Sequence, residues 1–313
     1  MRCLVTGGCG FIGAALVRRL AANQQQVTVV DDLSRGSAEN LSAPAAEVTV
    51  VRRDITASME PVVASARPQV IFHLAAVHYI PDCEADPARC LRVNVDGTRA
   101  VLAAAAISDP PVPVVFASSA AVYAPASEPH QEDDPLAPVD VYGYSKRWAE
   151  ELMSSFSTRT GAGVGIARLF NVFGPGETNP HFIPSLICQM QAGQPVRLGN
   201  LSTRRDYVFV DDVADGLVSL AEYCRTGQSV TVNLGTGRSY SGQDIVQALA
   251  NFSAASDAVT PAIDPGRLRL VDRPNLQAGN DLAQKALGWV PRTSLRDGLR
   301  AAWAQPLGAG VCW

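Results

Sequence analysis

The sequence predicts a doubly wound α/β fold: a parallel sheet with helices on both faces, followed by a smaller C-terminal α/β lobe. Three observations carry this expectation. Short apolar runs alternate with helical patterns through the first half of the chain. The runs are apolar throughout instead of alternating with polar residues, as strands buried on both faces are. A glycine-rich turn, "VTGGCGFIGAAL", joins the first run to the first helical pattern, at the place where such folds bind ligands.

Taken in order, strands are expected at 2–6, 27–31, 48–52, 70–74, 112–117 and 165–170, and helices at 11–22, 59–66, 88–107 and 142–160. The stretch 127–140, "SEPHQEDDPLAPVD", is rich in proline and acid and reads as a surface loop beside Tyr142. After Asn171 the pattern loosens, beginning with the long loop "VFGPGETNPHFIP". The first lobe is therefore placed at 1–170 and the second at 171–313. The two interleave near 205–237, where a helix at 211–223 and a strand at 229–237 are expected to return to the first lobe.

Composition narrows the function. The chain has 313 residues, 47% of them hydrophobic, enough for a large core. Charged residues make up 18%, the formal net charge is −4 and no basic run stands out, which argues against a nucleic-acid partner. No apolar run reaches the roughly 18 residues of a membrane span, and the N-terminus enters a strand at once, leaving no room for a signal peptide. The seven cysteines lack CxxC spacing and there are four histidines. Free thiols in a reducing cytoplasm are expected, with no disulfide framework and no metal site.

Gly7, Gly10 and Gly13 follow a G-x-x-G-x-x-G spacing directly after a strand. Early glycines permit a tight turn and close approach of backbone N–H groups to a pyrophosphate; the last permits close helix–strand packing. Asp31, at the end of the second strand, suits the adenosine ribose hydroxyls and would repel a 2′-phosphate, favouring NAD over NADP. Asp32 ranks second for that role, and Arg35 nearby weakens the preference. Asp54, with Ile55, either reaches the adenine amino group or caps the next helix.

Tyr142 and Lys146 stand four apart on an expected helix and so share a face. A lysine beside a phenol lowers its pKa from about 10 toward neutrality, which would make Tyr142 a general base. Tyr144, two residues on, faces elsewhere. Ser118 and Ser119 end a central strand, where a hydroxyl could bond the reacting oxygen of a substrate.

These motifs, with "HLAA" (73–76), "NVDGT" (94–98), "RLFNVFGPG", "RRDYVFVDDVADG" and "LGW" (287–289), resemble in content and order the extended short-chain dehydrogenase/reductases, and within them the nucleotide-sugar epimerase/dehydratase branch. The likeness runs over nearly the whole chain. It implies Tyr142 as the catalytic tyrosine, Lys146 as the lysine on the nicotinamide ribose, and Ser119 as the active-site serine. It implies NAD held by Gly7, Gly10, Phe11, Ile12, Gly13, Asp31, Asp32, Asp54 and Ile55, and by Leu74, Ala75, Ala76 and Asn94 beyond them. It implies a substrate, preferentially a UDP-sugar, held by Asn171, by Arg205 on the diphosphate and by a second arginine, Arg269 or Arg273. His78 and Tyr79 lie in "AAVHYIPDCEADP", an unusual wording for this loop, and His78 either faces the sugar or is a loop histidine. Relatives that remove water carry Asp-Glu after the active-site serine and decarboxylases keep a Glu; Ala120 and Ala121 stand there in this chain.

The resemblance thus implies epimerisation at C4 of a UDP-hexose or UDP-hexuronate. Tyr142 removes the 4-hydroxyl proton, hydride moves to NAD, and the 4-keto sugar turns over before hydride returns. It also implies a cytoplasmic homodimer built on the helices at 88–107 and 142–160. The alternatives are an oxidoreductase or 4-keto reductase, a dehydratase or decarboxylase, and a non-catalytic NAD-binding sensor.

Overall fold

A computed structural model of the protein describes residues 1–41, 48–177, 179–252, 261–264 and 273–305. In chain order the first half runs β1 (Arg2–Thr6), α1 (Phe11–Ala22), β2 (Gln26–Asp31), β3 (Val48–Arg52), α2 (Glu60–Ala66), β4 (Val70–His73), α3 (Ile80–Ala85), α4 (Pro87–Leu91), α5 (Gly97–Ala106), β5 (Val114–Ser119), α6 (Val141–Thr160) and β6 (Val164–Leu169). The second half runs β7 (Asn171–Phe173), α7 (Phe182–Gln191), β8 (Arg197–Leu198), β9 (Arg204–Phe209), α8 (Val210–Cys224), β10 (Val230–Leu234), β11 (Ser239–Ser241), α9 (Gly242–Ala250), β12 (Ala262–Ile263), β13 (Asn275–Leu276), α10 (Asp281–Leu287) and α11 (Leu295–Ala304).

The main sheet has seven parallel strands in the order β10-β6-β5-β4-β1-β2-β3. The chain starts in the middle and winds outward both ways, so the carboxyl ends of β1 and β4 flank a crevice at the reversal point. Both faces are covered, which is why the strands read as unbroken apolar runs. One face packs Leu16, Leu20, Val213 and Leu217 against Val5, Val29 and Phe72. The other packs Val101, Met153 and Phe156 against Leu4, Ile71 and Phe116. Each fully buried side chain of this kind contributes about 1.5–3 kcal/mol.

The returning elements behave as the sequence suggests only from α8 onward. Helix α8 packs on the first lobe and β10 pairs with β6, but β9 stays in a second sheet, flanked by β11 and β13 and paired along one stretch with β7. That sheet shares a separate core: Phe173, Leu186, Ile187, Tyr207, Ile245 and Leu299 are all buried.

The expected helix at 88–107 is present as a continuous helical stretch, α4 and α5 being joined through a wide π-turn at Arg92–Asp96 behind the Asp86 cap. At that turn the Asn94 side chain bonds both backbone groups of Val77, accepting from its N–H at 2.8 Å and donating to its carbonyl at 2.9 Å. Five cysteines, Cys3, Cys9, Cys83, Cys90 and Cys224, are buried free thiols. Cys188 is disulfide-bonded, contrary to the expectation of thiols throughout. Among the described residues no helix is long and apolar enough to cross a membrane.

Candidate active site

A cleft of about 1010 Å³ lies over the carboxyl ends of the central strands and continues into the second lobe. At its floor Gly7 adopts φ +71°, and a Cβ there would stand 2.7 Å from the Ala75 nitrogen. A Cβ on Gly13 would meet the Gly7 carbonyl oxygen at 2.1 Å. Both glycines are thus demanded by the protein's own packing. Gly10 is different. Its Cβ would have no protein atom nearer than Gly7 O at 3.4 Å, and it caps α1 with no side-chain hydrogen bond. The N–H groups of the first turn are left facing the cleft, with the positive end of the helix behind them. A cradle kept open at Gly10, beside unpartnered N–H groups, fits a pyrophosphate.

Asp31 stands at the end of β2 with one carboxylate oxygen accepting from the Cys9 N–H and the other from the Leu33 N–H, both at 2.9 Å. It lines the cleft together with Asp32, Asp54, Ile55, Phe11 and Ile12. Asp32 accepts from the Ser34 N–H and Asp54 from the Thr56 N–H, so each also shapes its own turn. Arg35 pairs with Asp82 across the cleft mouth, which draws its charge away from the ribose side of Asp31. Leu74, Ala75 and Ala76 line the opposite wall. Asn94 does not line it. Besides holding Val77 it donates to Ser145 Oγ at 2.8 Å, so it ties the loop after β4 to α6 in place of the direct cofactor contact expected.

Helix α6 brings Tyr142 and Lys146 to the cleft. Asp140 caps it by accepting from the Gly143 N–H at 2.7 Å, and Gly161 ends it in the left-handed conformation. Lys146 Nζ donates to the Ala117 carbonyl at 2.8 Å and lies 5.9 Å from the centre of the Tyr142 ring. Ser119 lies near enough to the Tyr142 phenol to favour its ionised form. Ser118 instead donates to Glu150. Tyr144 points outward, 43% exposed.

The proton affinities correct one expectation. Burial pushes the Tyr142 phenol up from its ordinary value, and Ser119 only partly opposes this. Lys146 does not lower it, because burial brings the lysine itself down to about 8. The spacing placed both groups on one face, but desolvation dominates over their mutual influence.

The second lobe closes the far end. His78 lines the cleft with its Nε2 2.9 Å from Asn179 Nδ2, and His181 lies between His78 and Tyr79, with ring centres 5.9 and 5.5 Å away. Enclosure lowers the His78 pKa. Glu177, Asn179 and His181 also line the cleft; the loop sequence gave no periodic signal that would have singled them out. Asn171 and Arg205 line it as expected. Arg205 donates to the Arg273 carbonyl at 2.8 Å, while Arg273 donates to the carbonyls of Ala120 and Ala121 at 3.3 and 2.8 Å. Arg269 lies outside the described residues.

Residues 3–235 match the family described as the NAD dependent epimerase/dehydratase family. The chain belongs to that family. It is 34% identical over 308 residues to the UDP-glucose 4-epimerase of Mycolicibacterium smegmatis, with 96% of each protein covered. It is 30% identical over 313 residues to UDP-glucuronic acid decarboxylase 3 of Arabidopsis thaliana, covering 96% of this chain and 87% of that one. Its fold matches MoeE5, solved in complex with UDP-glucose and NAD, with a TM-score of 0.85, 31% identity and 97% of both chains covered. Membership agrees with the glycine turn, the Tyr142–Lys146 pair and Ser119, each already in place in the cleft.

Proposed function

We propose that the protein is an NAD-dependent epimerase that inverts C4 of a UDP-hexose or UDP-hexuronate. The observation that carries this reading is the meeting of Tyr142 with Ser119 on the cleft wall, with Lys146 beside them and the glycine cradle below. The relatives named as UDP-glucose 4-epimerase and the fold shared with a UDP-glucose and NAD complex support it. NAD fits the cradle at Gly10, the Asp31 carboxylate and Lys146; when bound, it supplies a reversible hydride acceptor for the sugar carbon.

The chain's own residues do the rest. Tyr142 takes the 4-hydroxyl proton and returns it to the inverted alcohol. Ser119 holds the reacting oxygen and the phenol in line. Lys146 places the nicotinamide ribose. Arg205 holds the diphosphate at the far end, with Arg269 or Arg273 beside it. Binding energy is thus drawn from the nucleotide, and the sugar stays free to turn between its two half-reactions. The first 170 residues, with α8 and β10, make the cofactor lobe, and the second sheet makes the nucleotide-sugar lobe. The protein works as a cytoplasmic homodimer.

A decarboxylase reading has one relative in its favour, but Ala120 and Ala121 offer no carboxyl where such relatives keep a Glu. The test is incubation with UDP-hexoses and UDP-hexuronates followed by proton NMR without added reductant. A product of unchanged mass with inverted C4 coupling is expected. Loss of carbon dioxide or water, or stoichiometric NADH, would overturn the epimerase reading.

A further inference from the structure

Behind the cleft lies a buried ion pair that the chemistry above does not use. Glu150 and Arg168 are 6% and 5% exposed. Arg168 Nε donates to Glu150 Oε1 at 3.1 Å and Nη2 donates to Oε2 at 2.8 Å. Removing two charges from water is costly, and an apolar pair of the same volume often serves stability as well or better. The pair's third partner indicates what else it does. Ser118 Oγ donates to Glu150 Oε1 at 2.5 Å.

Tyr142, Lys146 and Glu150 follow one another at four-residue steps along the inner face of α6. They meet three successive residues at the end of β5: Tyr142 faces Ser119, Lys146 donates to the Ala117 carbonyl, and Glu150 accepts from Ser118. The third contact is anchored from behind. Arg168 Nη1 donates to the Tyr123 hydroxyl at 3.0 Å and to the Glu132 carbonyl at 2.7 Å, and the Tyr123 hydroxyl donates to Asn233 Oδ1 at 2.7 Å. Apolar packing would hold α6 against the sheet but would let it turn or slide. Directional bonds to a carboxylate fix both rotation and height.

We propose that Glu150 is a positioning residue for the epimerisation: through Ser118 and Arg168 it fixes the seat of α6 on β5, and with it the placement of Tyr142 and Lys146 against Ser119. The inference rests on the epimerase reading. Glu150 is also the carboxylate whose charge favours the Lys146 ammonium from one turn away, so its removal has an electrostatic signature separate from packing.

The test compares the full-length wild type with Ser118→Ala and Glu150→Gln. Ser118→Ala cuts the serine link and leaves the ion pair intact. It is expected to lower kcat about ten- to hundredfold, the penalty of a misplaced reacting group, with the KM of the UDP-sugar nearly unchanged. Glu150→Gln is expected to do the same and to move the Lys146 titration to lower pH, read by NMR of the labelled lysine. Wild-type kcat in Ser118→Ala, or an effect confined to KM, overturns the proposal. So does an unmoved Lys146 titration in a folded Glu150→Gln. If Glu150→Gln does not fold, Ser118→Ala decides. A wild type inactive on every UDP-sugar marks failure of the epimerase reading instead, and the Lys146 titration still tests the seat.

Discussion

Tyr142 and Lys146 sit one helical turn apart, yet burial moves their proton affinities in opposite directions, the phenol up and the ammonium down to about 8. Burial disfavours the charged form of each before any ligand enters, and the bound cofactor and substrate must supply the field that draws the proton from the phenol. Tyr142→Phe should therefore cost at least about a hundredfold in turnover while dinucleotide binding, measured by calorimetry, persists. Lys146 gives a sharper prediction. Its folded pKa lies below its ordinary 10.5, so between about 8 and 10.5 the unfolded chain binds more protons than the folded one. Stability then rises with pH across that window, and the buried ammonium is most unfavourable below it. The full shift corresponds to about 3 kcal/mol, against about 1 kcal/mol for the hydrogen bond to Ala117. Lys146→Met should abolish turnover yet raise the urea midpoint at pH 7, with the gain shrinking toward pH 10.5. A lower midpoint at pH 7 would refute the assignment.

Glycine turn, helix caps and strand ends are where element and function meet. Gly13→Ala drives a Cβ into the Gly7 carbonyl at 2.1 Å, so thermal unfolding should report a loss of several kcal/mol, about that of other severe backbone clashes. Gly10→Ala meets nothing closer than 3.4 Å. It should leave the melting temperature of the ligand-free protein within a degree or two, on the order of a surface substitution, and still abolish NAD binding by filling the cradle. Equal destabilisation by both would remove the argument that Gly10 is reserved for a ligand. The same contrast explains what the sequence could disclose. The glycine turn, Asp31, Tyr142 with Lys146, and Ser119 are local: strand, turn, helix and spacing are all contained in short windows, and these residues lie in the cleft. Glu150 was within reach of the same spacing, one more turn along α6, but a lone acid on a helix carries no signal until Ser118 and Arg168 are known to face it. The π-turn at Arg92–Asp96 was not legible, because the Asn94 contacts there depend on Val77 from another element. Nor were Glu177, Asn179 and His181, which reach His78 and Tyr79 only through the packing of the second lobe.

At the scale of the whole molecule, α6 keeps an outer face that the described residues leave exposed. Its inner face holds Tyr142, Lys146 and Glu150, while its outer face presents Tyr144 and Trp148, each 43% exposed, with ring centres 6.0 Å apart. Two aromatic rings at an i, i+4 step form the kind of patch that soluble chains cover. Pairing of this face with its own copy would join two helices from each protomer into a four-helix contact, and would press the catalytic helix onto its sheet from the side opposite the cleft. The protein should then sediment at twice its 33.1 kDa mass. Trp148→Glu places a charge at the centre of that contact and should shift the species to the monomer, while the glycine cradle, on the far side of α6, still binds NAD. Turnover in the monomer should fall through kcat, since α6 loses its outer support, with the UDP-sugar KM little changed. A wild type that sediments as a monomer would overturn the dimer, and a Trp148→Glu variant that stays dimeric would move the contact to another face.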